Sequence, residues 1–214
     1  MQTELPLFPL QLVAFPGEKV NLHIFEPRYK QLINEANEFG ITFGIPAFID
    51  EKVMDYGTEM RLVQIVNKKP SGEMDIKTEA VGVFKVHDFF RNLGDKLYPG
   101  GTVERLEFPE RVIDFNVAEE IVTLISELYQ ILNVSKKPPE SAAQLNAFEI
   151  GHTVGLSIHQ EYQLLTIQHE KDRQKFVLDH LRRILPIVKQ TEEMRKKIQM
   201  NGHFKNFDPL EFNL

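Results

Sequence analysis

Histidine and carboxylate side chains offer the first places to look for chemistry. His152 and His159 stand seven residues apart with Glu149 and Glu161 close by, and on one unbroken helix that spacing stacks both imidazoles on the same face. Metal sites on helices draw on spacings of three or four, as in H-E-x-x-H, because adjacent turns bring two ring nitrogens to one ion. His169-Glu170 has no second histidine at that spacing. A helix end at Ser157 or His159 would part the pair altogether. Capping and interface roles are therefore expected for these histidines, and no metal. His23 alternates with apolar strand residues and reads as a half-buried hydrogen bonder.

Other chemistries find no foothold. The chain has no cysteine, which excludes thiolate nucleophiles, thiolate metal sites and disulfides and suits a reducing compartment. It has no G-x-x-x-x-G-K-[ST], no G-x-G-x-x-G and no G-x-S-x-G, and the lysine-bearing loop from Gly94 to Gly101 fits none of these spacings. No serine sits in a recognisable Ser-Lys context. The expectation is a protein without catalytic residues or cofactors.

Charge narrows the partners. The net charge of −6 sets the overall field against nucleic acid and anionic membranes. Lys136-Lys137, Arg182-Arg183 and Arg195-Lys196-Lys197 are interspersed with acids such as Glu192-Glu193, which reads as solvated helix faces. The start, MQTELPLFPLQ, is acidic and carries two prolines where a signal peptide needs a basic and then an apolar run. No stretch approaches the roughly 18 apolar residues of a membrane span. A cytoplasmic protein is expected.

What remains as recognition chemistry is aromatic. Sixteen phenylalanines exceed what special roles could use, so most must be core. Phe15, Phe43, Phe48, Phe89 and Phe90 are the candidates for a peptide-binding surface, with Phe204, Phe207 and Phe212 forming an aromatic tail. Three phenylalanines left in water are an aggregation liability, so the tail is expected to dock on its own domain or on a neighbouring copy.

These residues must be positioned by two kinds of element. Up to about Pro109 the chain reads as strands punctuated by turns. Val20 to Phe25 alternates as a half-buried strand does. Pro27 opens a helix with Tyr29, Leu32, Ile33 and Ala36 inward and Gly40 at its C-cap. Ile41 to Ile49 is β-branched and aromatic. Thr58–Asn67 and Asp75–Phe89 flank the turn Pro70-Ser71-Gly72 as a hairpin, and Thr102–Phe108 makes one more strand. From Asp114 the period becomes helical. Asp114 or Asn116 caps a helix with Val117, Ile121, Leu124, Ile125, Leu128 and Leu132 on one face, and Lys136-Lys137-Pro138-Pro139 breaks it. Ala143, Ala147, Gly151 and Gly155 recur every four residues as a small-residue stripe, expected to face another helix closely. A short segment from Glu161 to Gln168 precedes a long last helix with Phe176, Val177, Leu181, Ile184, Leu185 and Val188 inward, which Pro186 should kink or break.

The opening residues carry a resemblance. LPLFPLQLVAFPG at residues 5–17, followed by LHIFEPRY at 22–29, resembles the N-terminal signature of the LON substrate-binding domain family. Its distinctive positions are Pro6, Pro9, Phe15, Pro16, Gly17, Phe25, Glu26, Pro27, Arg28 and Tyr29, for which architectural roles are expected. Echoes continue in family order at Gly57-Thr58, Ser71-Gly72, Gly82 to Val86, Thr102 to Glu104, Leu156 to Leu165 and Asp172-Arg173, so the resemblance covers roughly residues 4 to 190. Ser71 stands where the family usually has an acidic residue, and nothing after Met200 has a counterpart.

The resemblance implies an α+β protein. A PUA-like β pseudo-barrel subdomain with one helix, over 1–112, would be followed by a helical bundle over 113–200 and the aromatic tail over 201–214. It further implies a stand-alone bacterial member, without the ATPase and Ser-Lys protease domains of full Lon. Its partners would be unfolded or hydrophobic polypeptide segments, lodged in a groove between barrel and bundle and passed to a separate protease or chaperone. The rival reading is an RNA-binding PUA-like module, by fold analogy alone. An unrecognised hydrolase is the third.

Overall fold

A computed structural model describes residues 2–109 and 111–203, with side chains through Gln199. The tail phenylalanines Phe204, Phe207 and Phe212 lie outside the described residues.

The strands are β1 (Gln2–Pro6), β2 (Lys19–Ile24), β3 (Phe43–Ile49), β4 (Lys52–Lys68), β5 (Met74–Phe90) and β6 (Gly100–Leu106). All pair antiparallel in one sheet of order β1-β6-β5-β4-β3, with β2 joined to β5 off that path. The segment after β1 closes the sheet. Leu7 donates to the carbonyl of Pro99 beside β6, while Phe8 and Leu10 donate to Gly44 and Pro46 in β3. Pro9 falls between these two donors, where its missing N–H breaks neither bond to β3. The proline-rich opening is thus an edge strand that crosses to the far end of the sheet.

The helix α1 (Pro27–Phe39) packs Tyr29, Leu32, Ile33 and Ala36 on the main core, and Gly40 at φ 67° ends it in the left-handed conformation. Phe8 stacks on Tyr29 with ring centroids 3.8 Å apart. A second core holds Leu5, Leu7, Phe84 and Val103. The Phe84 ring fits there because glycines flank it: a Cβ at Gly44 or Gly57 would lie 2.5–2.7 Å from it.

The described helices continue with α2 (Phe115–Leu132), a 3-10 turn (Ala142–Gln144), α3 (Ala147–Gly151), α4 (Ile158–Thr166) and α5 (Glu170–His203). Asp114, not Asn116, caps α2 by accepting from the Val117 N–H at 3.3 Å. Asn133 ends α2 in the left-handed conformation ahead of the two prolines.

The helices depart from the sequence reading at two places, and the compact units at a third. The stripe Ala143, Ala147, Gly151, Gly155 is not one helix. Asn146 caps a fresh five-residue helix, Gly155 has φ 77°, and Ser157 opens α4 with a reciprocal capping box to Gln160 rather than ending a helix. Pro186 lies inside α5 without breaking it. The compact units also cut the chain differently: Met1–Val112 goes with Asn146–Arg173, and Ile113–Leu145 with the chain from Gln174. Residues 146–173 therefore belong with the β unit rather than with the helical bundle, which the expected boundary of 113–200 had combined.

Candidate functional site

The five candidate phenylalanines separate into two groups. Phe15 and Phe43 are buried, which corrects the expectation that they line an open surface. Phe43 begins β3 on its inward face and meets Phe8 with centroids 6.4 Å apart. Phe15 leaves the loop before β2 and lies against Phe148 at 5.2 Å and His152 at 4.7 Å, centroid to centroid. Both rings are consumed by packing within the β unit. Phe48, Phe89 and Phe90 keep 37%, 41% and 37% of their surface in solvent.

Strand pairing explains the second group. Phe89 stands opposite Gly101 and Phe90 opposite Gly100, so neither ring meets a cross-strand side chain at its own register. The loop after Phe90 is pinned rather than loose. Tyr98 donates to Glu35 of α1 at 2.7 Å and Lys96 pairs with the same carboxylate at 3.1 Å. The Tyr98 hydroxyl, foremost among these partners, holds Glu35 below the usual carboxylate range, while burial first and then Glu35 push the Tyr98 phenol upward. Phe48 sits near the end of β3, where its N–H donates to Leu10. Sequence reasoning passed over Phe25, Phe39 and Leu97, all more than half exposed. Phe25 follows an alternating strand, and Phe39 closes an amphipathic helix, so pattern alone suggested burial.

The histidine pair resolves into two separate contacts. His152 lies in the turn after α3, with Nδ1 2.7 Å from Glu161 and Nε2 3.1 Å from Glu18. The hydrogen bonds to Glu161 and then Glu18 push its pKa up to about 9, so the ring is a cation at neutral pH. Both ring nitrogens then donate, and neither offers a lone pair to a metal or a substrate proton. The arrangement is a tether between the loop before β2 and α4. His159, in α4, faces Asp50 at 3.3 Å. Among the described residues no group of three His, Cys, Asp or Glu side chains could hold a metal ion. His23 is half in solvent and pairs with Asp75 at 2.7 Å.

A second charged knot holds the start of α5 on the β unit. Glu170 is buried, accepts from the Ala147 N–H at 3.0 Å and pairs with Arg173 at 2.9 Å. Arg173 also donates to the carbonyls of Ile167 and Gln168, and its guanidinium lies 4.3 Å over the Phe148 ring.

Several residues of the opening signature stand at element ends and turns, while Phe25 is exposed. Pro6 ends β1, Gly17 turns at φ 84° and donates to Ala80, and Pro27 opens α1 after Glu26. Arg28 doubles back to Glu26 at 2.8 Å and lies 4.6 Å over the Tyr29 ring. Pro16 precedes that turn in the loop after Phe15.

The description "ATP-dependent protease La (LON) substrate-binding domain" matches residues 4–183, and the chain belongs to this family. It is similar to the crystal structure of a Lon N-terminal domain protein from Xanthomonas campestris, at 25% identity and a TM-score of 0.64, over 83% of this chain and 98% of that one. It also shares its fold with the N-terminal domain of a Mycobacterium avium complex Lon protease, at 16% identity and a TM-score of 0.57, over 84% of this chain and 98% of that one. No curated protein matches the chain. The α+β fold and the family are those the opening signature implied. No helix among the described residues is long and apolar enough to cross a membrane.

Proposed function

We propose that this chain is a non-enzymatic recognition module that takes up unfolded or hydrophobic protein segments in the cytoplasm. The observation that carries the reading is the pair Phe89 and Phe90, part-exposed at the end of β5 opposite two glycines in a substrate-binding domain. Rings fixed on a paired strand lose little conformational freedom on binding, and each, about two-fifths exposed, gains roughly 0.6–1.2 kcal/mol if a client side chain completes its burial. Phe48 offers a third anchor. A separate protease or chaperone is the expected recipient of the bound segment, and no step of this role needs ATP.

The deciding experiment is calorimetry with a permanently unfolded model protein at low and high salt. Binding by apolar burial gives a negative heat-capacity change and little loss in high salt. A flexible client loses entropy on docking, which places the affinity at roughly micromolar or weaker. Absence of heat together with no competition by hydrophobic peptides overturns the reading. Binding that collapses with salt and is competed by RNA would make the protein a nucleic-acid module instead.

A further inference from the structure

The last helix carries a surface that the family match does not account for. The match ends at residue 183, yet α5 runs on to His203. Over that extension Ile184, Ile187, Thr191, Met194 and Ile198 recur at alternating steps of three and four, the spacing that lines residues along one side of a helix. Ile184 is half-buried, and Ile187, Met194 and Ile198 are each more than half exposed. The neighbour α2 does not cover them. Arg182 pairs with Glu120 and Lys189 with Glu127, so the two helices run parallel at a constant offset, which brings Leu132, the last residue of α2, level with Met194. Among the described helices, α2 reaches no further along α5 than that level.

Charge selects the occupant. Arg195 and Lys197 flank the stripe on its two sides; Arg195 reaches Glu192 within the helix at 3.4 Å, with two-thirds of its side chain still in solvent. A partner should therefore be apolar with acidic residues interleaved. The segment directly after α5 has that composition: Phe204, Phe207, Leu210 and Phe212 are interleaved with Asp208 and Glu211. Reach is sufficient. An extended chain spans up to roughly 3.3–3.6 Å per residue and a helix rises roughly 1.5 Å, so the four residues from His203 to Phe207 cover about the same distance as the nine back to Met194. Tethering adds a local concentration on the order of millimolar, which an untethered partner would have to exceed.

We propose that segment 204–214 folds back in cis onto the α5 stripe of Ile187, Met194 and Ile198, with Asp208 and Glu211 facing Arg195 and Lys197. The exposed apolar stripe and the aromatic tail then bury one another.

The absence of cysteine makes the test clean. Met194→Cys with Phe207→Cys is oxidised in dilute full-length protein, beside a control pair of Glu193→Cys with Phe207→Cys. The control lies level with Met194 but off the stripe. Docking predicts an intramolecular disulfide that forms at least about tenfold faster for the Met194 pair than for the control. Arg195→Glu with Lys197→Glu should slow it, and adding Asp208→Lys with Glu211→Lys should restore it. Equal rates for the two pairs overturn the proposal. A disulfide-linked dimer as the main product overturns it in favour of a second copy as occupant. An unchanged rate on charge reversal overturns the charge-directed docking.

Discussion

The ring of Phe15 lies directly against Gly151, so close that a Cβ on Gly151 would stand 2.5 Å from Phe15 Cε2 and 3.2 Å from Leu164 Cδ2. The sequence marked Gly151 as a place of close approach and expected another helix there. The structure puts a loop phenylalanine in that position, with α4 behind it. Gly151→Ala separates two opposing effects. Helix propensity alone favours alanine by about 1 kcal/mol. Overpacking against a buried ring costs roughly 1–3 kcal/mol, and Phe15 has no open side to retreat to. A lower melting temperature is expected, and an unchanged or higher one would show that the ring yields.

His152 makes this same region pH-sensitive. Its folded-state pKa of about 9 lies above the ordinary 6.5, so the unfolded chain gives up the proton first as pH rises. The stabilisation is fully present below pH 6.5 and is lost as pH climbs through about 9. His152→Gln removes that dependence. The measurement is the difference in melting temperature between parent and variant across this window, which should shrink toward high pH. A constant difference would mean that the ring is neutral throughout.

Glu170 and Arg173 form the buried pair most sensitive to losing one member. Arg173→Met leaves the Glu170 carboxylate buried with only the Ala147 N–H to satisfy it, and should cost roughly 3–5 kcal/mol. Glu170→Gln with Arg173→Met removes both charges and should recover part of that loss. Denaturant unfolding of the two variants tests the coupling, and equal stability would mean that the charges do not interact.

The turn between β3 and β4 carries strain that glycine would relieve. Asp50 and Glu51 hold φ of 50° and 62° between the paired residues Ile49 and Lys52, as a two-residue primed turn requires. A left-handed side-chain residue costs roughly 1–2 kcal/mol, and the extra freedom glycine brings to the unfolded chain costs roughly 0.4–1 kcal/mol. Relief wins. Glu51→Gly should stabilise by about 0.5–1 kcal/mol, read as a higher denaturant midpoint with unchanged slope.

Phe89→Ser with Phe90→Ser tests the recognition surface. Losing two anchors should weaken binding of the unfolded model protein by about tenfold, since completing the burial of two rings that are each about two-fifths exposed is worth roughly 1–2.5 kcal/mol in all. Some stability should be lost as well, since about three-fifths of each ring is already buried, so affinity is compared at a temperature where both proteins are folded. Unaltered affinity would remove this end of β5 from the site.

Much of the protein was legible before any coordinates, because the elements depend on local rules. The period of two in Val20–Phe25, the proline at the start of α1 and the glycine at its end, and the turn at Pro70-Ser71-Gly72 each constrain a few adjacent dihedrals, and the structure follows them. The opening signature at 5–29 was specific enough to name the family. Tertiary structure decided what depends on distant neighbours. A phenylalanine has the same side chain at 15, 43, 89 and 90, and its exposure follows from what the fold sets beside it: α3 against Phe15, the main core around Phe43, two glycines opposite Phe89 and Phe90. The same holds for 146–173. Its residues read as helix wherever they pack, and the contacts of Glu18, Phe15 and Phe108 with His152, Gly151 and Arg173 assign them to the β unit. Sequence periodicity records which side chains need burial, whereas the partner that buries each one is set by chain pairing over long separations, which no local pattern encodes.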